Sequence, residues 1–476
     1  MLDLVLRGGQ VVTPQRVAEM DVAVLGEKIV AVTEPGVLDA EAARTIDASG
    51  RIVVPGGIEP HAHIATPVPQ LWTGRPGVET QSPEAASRAA AFGGTTMLID
   101  FARPLYGATP LEAVEQRVQR FSGHSYIDFA FHCVFNGVSP PEHIAQIGEL
   151  ISSGVASMKV WTITRPGDPP NPATDDGHLW AVMDQVARHN GIVAVHGEDE
   201  AIVEFMTDKL KREGRDQAYN IHLAHNNLSE DITFRKTVRM AQRTGAGVYF
   251  VHVTAKEGVE AIVKGRADGL PIYGEVLHHF LCFTSEDYKK PEGNLYHTNP
   301  GLKFTEDRDA LWEGFTGGAI STVATDEYTT PKAPKLAGTT IETIQGGHNG
   351  IETRLMIAYS EGVAKGRVSL QRFVELTSSN AARVMGMYPQ KGIIAVGSDA
   401  DIVLIDPSVH KTIALSDLHA DSDYSIWEGT EVQGWPVTTI LRGSVIVEDG
   451  KLLGNPQQGR FVKRKIASNV LTKPAC

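Results

Sequence analysis

The sequence predicts an α/β chain: a (β/α)8 TIM-type barrel with a small β-sandwich domain built from both chain ends. Three patterns lead there. Eight short apolar runs alternate with helical stretches through the middle of the 476 residues. Short β-rich runs separated by glycine turns fill the first fifty residues, and the same texture returns after Gly392. Strands alternating with helices imply parallel strands joined by helical crossovers, whereas strand–turn–strand texture implies antiparallel pairing. The expected division is 1–52 with 391–465 for the small domain, 53–390 for the barrel and 466–476 for a C-terminal tail.

At the N-terminus the β runs are 2–7, 22–25, 28–33 and 45–47, punctuated by Gly8-Gly9, Gly26 and Ser49-Gly50. The matching runs near the other end are 402–405, 438–442 and 445–447, and Asp449-Gly450 is a strong hairpin signal. Between them the expected barrel strands are 52–58, 95–101, 128–134, 156–161, 192–196, 247–253, 272–277 and 321–324. Thr174-Asp175 precede an apolar-periodic stretch that Gly191 closes, and Thr305 is a candidate cap for a helix over 306–315. A doubly wound open sheet would show a Gly-rich phosphate turn after an early strand, and none is present.

Composition narrows the function. A formal charge of −13 argues against nucleic acid or an anionic membrane surface as partner. Three widely spaced cysteines offer neither a disulfide framework nor a thiolate metal site and suit a reducing compartment. No signal-peptide pattern opens the chain, and no run reaches the ~18 apolar residues of a membrane span. The expected location is the cytoplasm.

Polar residues recur where barrel strands end, which is where such barrels hold their active sites. The first strand runs into His61-Ala-His63, and a period of two turns both imidazoles to one side. Neutral imidazoles on one side make half of a divalent-metal site. Strand five ends at His196, strand six at His252 and strand eight at Asp326. One histidine at a strand end is usually an ordinary buried residue. Four such coincidences in one barrel are hard to dismiss. Strand four adds Lys159 within an apolar run; a buried lysine loses hydration and is pushed towards the free amine, which can take up carbon dioxide as a carbamate. A lysine that snorkels to solvent is the alternative for that position.

With these residues in place, the chain resembles the dihydropyrimidinase and D-hydantoinase branch of the amidohydrolase superfamily. The similarity runs through Val54-Pro-Gly-Gly-Ile-Glu-Pro-His61-Ala-His63, Gly93-Gly-Thr-Thr-Met-Leu-Ile-Asp-Phe101 and the Gly274-Glu275 strand. It continues in Asn349-Gly350-Ile-Glu352-Thr-Arg354, Gly397-Ser-Asp-Ala-Asp-Ile-Val-Leu404, Val447-Glu-Asp-Gly-Lys451 and Gly459-Arg-Phe461. The resemblance implies hydrolysis of a cyclic amide C–N bond by two divalent ions, usually zinc, with manganese or cobalt admissible. A carbamylated Lys159 would bridge the ions. His61, His63 and Asp326 would complete one site, and His196 and His252 the other. A hydroxide between the ions would be the nucleophile and Asp326 the general acid and base. The family also forms homodimers and homotetramers.

The substrate contacts depart from the family. Thr164 stands where the family has an oxyanion-stabilising tyrosine, and Glu327-Tyr328 follow Asp326 in place of His-Cys. Tyr328 is a candidate for the missing hydroxyl. Asn299-Pro300-Gly301 replaces a Ser-Pro-Pro segment, and Gly346 falls near the family's ring-contacting asparagine. Trp161 either lines the pocket or is a core aromatic. The metal positions are all kept, so the departures point to a rebuilt pocket and a substrate other than plain dihydrouracil or hydantoin. Two other readings are an inactive dihydropyrimidinase-like scaffold protein, which would lack the metal residues, and a mononuclear ring deaminase, which would do without Lys159.

Overall fold

The computed structural model describes residues 1–38, 40–137, 139–164 and 172–476. Strands from the two chain ends form one mixed sheet. From the first end come β1 (Leu2–Val12), β2 (Val17–Leu25), β3 (Lys28–Thr33), β4 (Ala42–Asp47) and β5 (Ile52–Pro55). The barrel follows with β6 (Gly57–Ala62), β7 (Thr95–Ala102), β8 (Asp128–Val134), β9 (Ser157–Trp161), β10 (Ile192–His196), β11 (Gly247–Phe250), β12 (Ile272–Leu277) and β13 (Thr322–Ala324). The chain returns to the end sheet with β14 (Ile402–Thr412), β15 (Glu431–Leu441), β16 (Ser444–Glu448) and β17 (Lys451–Leu452).

The end sheet has the order β17-β16-β15-β14-β5-β1-β2-β3, with β4 also paired to β1. Its seam is β5, parallel to β1 on one side and antiparallel to β14 on the other, with Pro55 opposite Ile402. Asp449 and Gly450, at φ 47° and 73°, make the expected turn between β16 and β17. Buried Leu4, Val22, Val24, Val53, Ile402 and Ile440 form this sheet's own apolar cluster.

One expected strand, 52–58, is two. The chain breaks at Gly56, where a β-carbon would collide with the Thr96 side chain. Only glycine permits that approach. Gly56 N–H donates to Asp401 O at 2.8 Å and Gly57 N–H to Gly94 O at 2.9 Å, so adjacent residues join different sheets.

The barrel strands are parallel and run in sequence order from β6 to β13. The first and last meet just beyond their ends: His63 N–H donates to Glu327 O at 2.8 Å and Glu327 N–H to His61 O at 3.3 Å. The strands read as nearly unbroken buried runs because both faces are covered. Phe131, Phe250 and Phe234 pack between strands and helices. Ile99, Ala194, Tyr249 and Tyr273 fill the lower barrel, where Ile466 and Val470 of the tail join them. Above this filled floor a cavity lies at the strands' C-terminal ends.

Asp175 caps the helix Asp176–Arg188 by accepting His178 N–H at 2.7 Å. The later helix begins one residue sooner than expected. Phe304 is its N-cap and Thr305 its first helical residue, because the Asp307 carboxylate reaches back to Phe304 N–H at 3.1 Å and supplies the capping acceptor. Between sheet and barrel, buried Lys391 Nζ lies 2.8, 3.1 and 2.6 Å from carboxylate oxygens of Asp128, Asp399 and Asp401. Among the described residues no helix is long and apolar enough to cross a membrane.

Candidate metal centre

His61 ends β6 and is buried. Its Nδ1–H donates to Glu275 on β12 at 2.7 Å, leaving Nε2 facing Asp326 Oδ1 at 3.0 Å. His63 Nε2 reaches the same Oδ1 at 3.0 Å, with its ring stacked on Phe101, the centroids 4.4 Å apart. His196 Nε2 donates to Glu198 at 2.7 Å, which turns its Nδ1 towards His252 Nε2, 2.9 Å away. Each histidine anchored in this way keeps one nitrogen for a cation, the arrangement that fixes tautomer and ring direction in metal sites.

Ligand atoms of His61, His252 and Asp326 all lie within 4.8 Å of one another. Lys159, buried on β9 between β8 and β10, lines the same cavity, its Nζ 5.4 Å from the Phe101 ring centroid.

The electrostatics favour a cation here. Burial, reinforced by His196 and Lys159, holds His252 well below the ordinary imidazole range, so its nitrogen carries a lone pair. Burial pulls His61 the same way, but Asp326 and Glu275 outweigh it and lift its pKa to about 9. Burial would raise the Asp326 carboxyl; His61 and His63 hold it well below its usual value instead. Carboxylate oxygen beside imidazole nitrogen is a donor set suited to Zn²⁺ and its neighbours, and a cation binding at His61 would displace the proton that Asp326 and Glu275 hold there.

Two of these residues sit in strained backbone. His252 has φ 39° and Asp326 φ 51°, left-handed values that cost a non-glycine residue about 1–3 kcal/mol. Hydrogen bonds hold both in place. Glu275 accepts His252 N–H at 3.0 Å through its carboxylate and Val253 N–H at 2.8 Å through its carbonyl, and Glu230 accepts Thr254 and Ala255 N–H at 3.1 and 3.0 Å. On the other side Glu59 accepts His61 N–H at 2.9 Å and Thr325 N–H at 3.2 Å, with Arg354 Nε 3.2 Å from its second oxygen.

These supporting groups had no role assigned from sequence: Glu275, Glu198, Glu230, Glu59, Arg354 and Tyr249, whose hydroxyl donates to Glu275 at 2.7 Å. One signal was available. Glu59 lies two residues before His61 and Glu275 inside an apolar strand, where an unpaired carboxylate would be costly.

A cavity of about 340 Å³ opens above the ligands, and Trp161, Asn299, Tyr328 and Gly346 line it. Thr164 is absent from its described walls. Its hydroxyl accepts Ala173 N–H at 3.1 Å and its own N–H donates to Glu200 at 2.9 Å, at the start of 165–171, which fall outside the described residues. Glu327 points away from the cavity. Buried, it accepts Gly350 N–H, Ile351 N–H and Gln81 Nε2 at 2.6, 2.8 and 2.8 Å, clamping the loop below Tyr328.

The profile of the Amidohydrolase family matches residues 52–446. The chain belongs to that family. Within it, this amidohydrolase is 34% identical to a D-hydantoinase of Ralstonia pickettii, covering 98% of this chain and 99% of that one. A D-hydantoinase of Rhizobium radiobacter is 33% identical over the same shares, 98% and 99%. In structure the amidohydrolase resembles the dihydropyrimidinase of Brevibacillus agri with a TM-score of 0.91 and 31% identity, covering 98% of this chain and all of that one.

Proposed function

We propose that this amidohydrolase opens a cyclic amide, cleaving one ring C–N bond of a hydantoin, dihydropyrimidine or cyclic imide. One observation carries the reading: His61, His252 and Asp326 converge at the mouth of a barrel whose near-full-length relatives are hydantoinases and a dihydropyrimidinase. His61, His63 and Asp326 would hold one divalent ion, His196 and His252 a second, with carbamylated Lys159 between them; zinc fits this set best, and manganese or cobalt is admissible. When bound, such ions lower the pKa of water towards neutrality and polarise a carbonyl.

The chain's residues handle the proton and the ring. Asp326 is a carboxylate at neutral pH because His61 and His63 hold it so. It takes the proton that water gives up on attacking the ring carbonyl and returns it to the leaving ring nitrogen. The water oxygen ends in the new acid, and the nitrogen leaves as an amide or ureide N–H. Tyr328, on the cavity wall and edge-on to His63, is the candidate donor to the developing oxyanion in place of Thr164. Asn299 and Gly346 present the ring's amide edge, and Trp161 covers its face.

A hydrolysis screen of hydantoins, dihydropyrimidines and cyclic imides, with metal counted on the same sample, tests this. Turnover with two ions per chain, reduced in Lys159→Ala, is expected. One ion per chain unaffected by that substitution, with ammonia released, would favour a deaminase. A metal-free chain with no turnover would favour a scaffold protein. Its three unpaired cysteines support a reducing, cytoplasmic setting, and the kinship supports a homodimer or homotetramer.

A further inference from the structure

Lys335 stands on the short helix Lys332–Ala337 and is wholly buried. Its Nζ donates to two main-chain carbonyls, His297 O at 2.8 Å and Gln345 O at 3.1 Å. Each carbonyl opens a segment that walls the cavity: His297 leads to Asn299, and Gln345 to Gly346 and Gly347. The His297 carbonyl also accepts Gly347 N–H at 3.0 Å. One amine and one amide therefore tie the two walls together at a single oxygen.

A buried amine is expensive unless something needs it. Burial alone accounts for the fall of the Lys335 pKa to about 7, with no carboxylate contributing. Its charge bears on the buried imidazoles of His297, His348 and His279, each held below the ordinary range first by burial. A side chain that only filled this volume would be apolar, as Leu336 beside it is. What the lysine supplies is reach and two donors.

We propose that Lys335 is a positioning residue for the ring: its amine sets the spacing of the Asn299 and Gly346–Gly347 walls, between which the ring's amide edge is held. The role towards a ring rests on the function proposed above; the tie between the walls does not.

Lys335→Met removes both donors at similar volume. With a ring that the wild type turns over, KM should rise about tenfold while kcat stays within about twofold and the metal count is unchanged. Exchange of the Gly347 amide, followed by hydrogen exchange, should quicken about tenfold while Ala194 on β10 keeps its rate. In an Asn299→Ala background Lys335→Met should add nothing to KM, because both act through one wall. Lys335→Gln, which keeps a donor, serves where the methionine variant does not fold and should give intermediate values. A fall in kcat at constant KM, loss of metal, additive effects with Asn299→Ala, or Gly347 exchange at the wild-type rate in the variants would overturn the proposal. If the wild type opens no ring, the proposed function fails, and the exchange measurement still decides the tie.

Discussion

Asn299 and Gly346 compete for one volume: a β-carbon on Gly346 would collide with Asn299 Nδ2 and stand 2.9 Å from its Cγ. The bare α-carbon of one wall thus makes room for a carboxamide from the other, and the two together shape that side of the cavity.

Gly346→Ala should push the Asn299 carboxamide aside. We expect kcat/KM to fall about tenfold or more, mainly through KM, with the fold intact. Combining it with Asn299→Ser should cost less than the sum of the single changes, since the two sites share atoms. Steady-state kinetics of the four proteins checks both points, and strict additivity would show that the residues do not share the space.

Glu275 joins the two halves of the metal centre, accepting from the His61 ring and from the His252 amide. Glu275→Gln keeps the shape but loses the charge that steadies the His61 N–H. Metal affinity should drop about 10- to 100-fold, the range for losing such an outer carboxylate. Titration of the apoprotein with Zn²⁺ against a competing chelator measures it; an unchanged affinity would mean the histidines hold themselves in place.

Tyr328→Phe should lower kcat about a hundredfold with KM little changed, in line with the ~2.7–4 kcal/mol contributed by one oxyanion donor. An unchanged rate on every turned-over ring would remove Tyr328 from the reaction.

Lys391 predicts an alkaline limit to stability. Burial opposes its charge, but Asp401, Asp128 and Asp399 outweigh burial and raise its pKa above the ordinary 10.5. A raised folded-state pKa contributes stability that is fully present below the unfolded value of 10.5 and fades as pH climbs past it. Denaturant melts of the wild type should therefore weaken above about pH 10.5. Lys391→Met, which leaves buried Asp401 without a cation and Asp128 and Asp399 with only Arg442 and Lys28, should lose about 3–5 kcal/mol at neutral pH and lack that alkaline step. Equal stability of the two proteins at pH 7 would refute the assignment.

The convergence of His61, His63, Lys159, His196, His252 and Asp326 was legible in the sequence because strand geometry is local: a residue at a strand's end must point at the barrel mouth. What supports those residues was not. Glu275 meets the His61 ring 214 positions away and Glu230 the Thr254 and Ala255 amides, and nothing beside either glutamate says which partner it will meet; Glu198 lies two residues after His196, too near for a strand pattern to assign it. The division of 52–58 had a local sign in Pro55-Gly56-Gly57, which the continuous apolar run obscured. Thr305 was a reasonable cap by residue type, yet Asp307 two positions later made the bond. Thr164 shows the reverse limit, since its register after Lys159 was clear while the path of the loop that carries it was not.

The end sheet also sets an order of events for the growing chain. β5 emerges early with one neighbour, β1, while its other neighbour, β14, is translated only after the whole barrel. Until then the ribosome-bound chain carries an apolar strand with an open edge, able to pair with any extended segment nearby. A message truncated beyond the barrel would yield a protein with its ligands in place and that edge permanently bare. Such a product should be recovered from inclusion bodies or bound to chaperones, which makes the last strands, remote from the chemistry, the ones that decide how much enzyme a cell obtains.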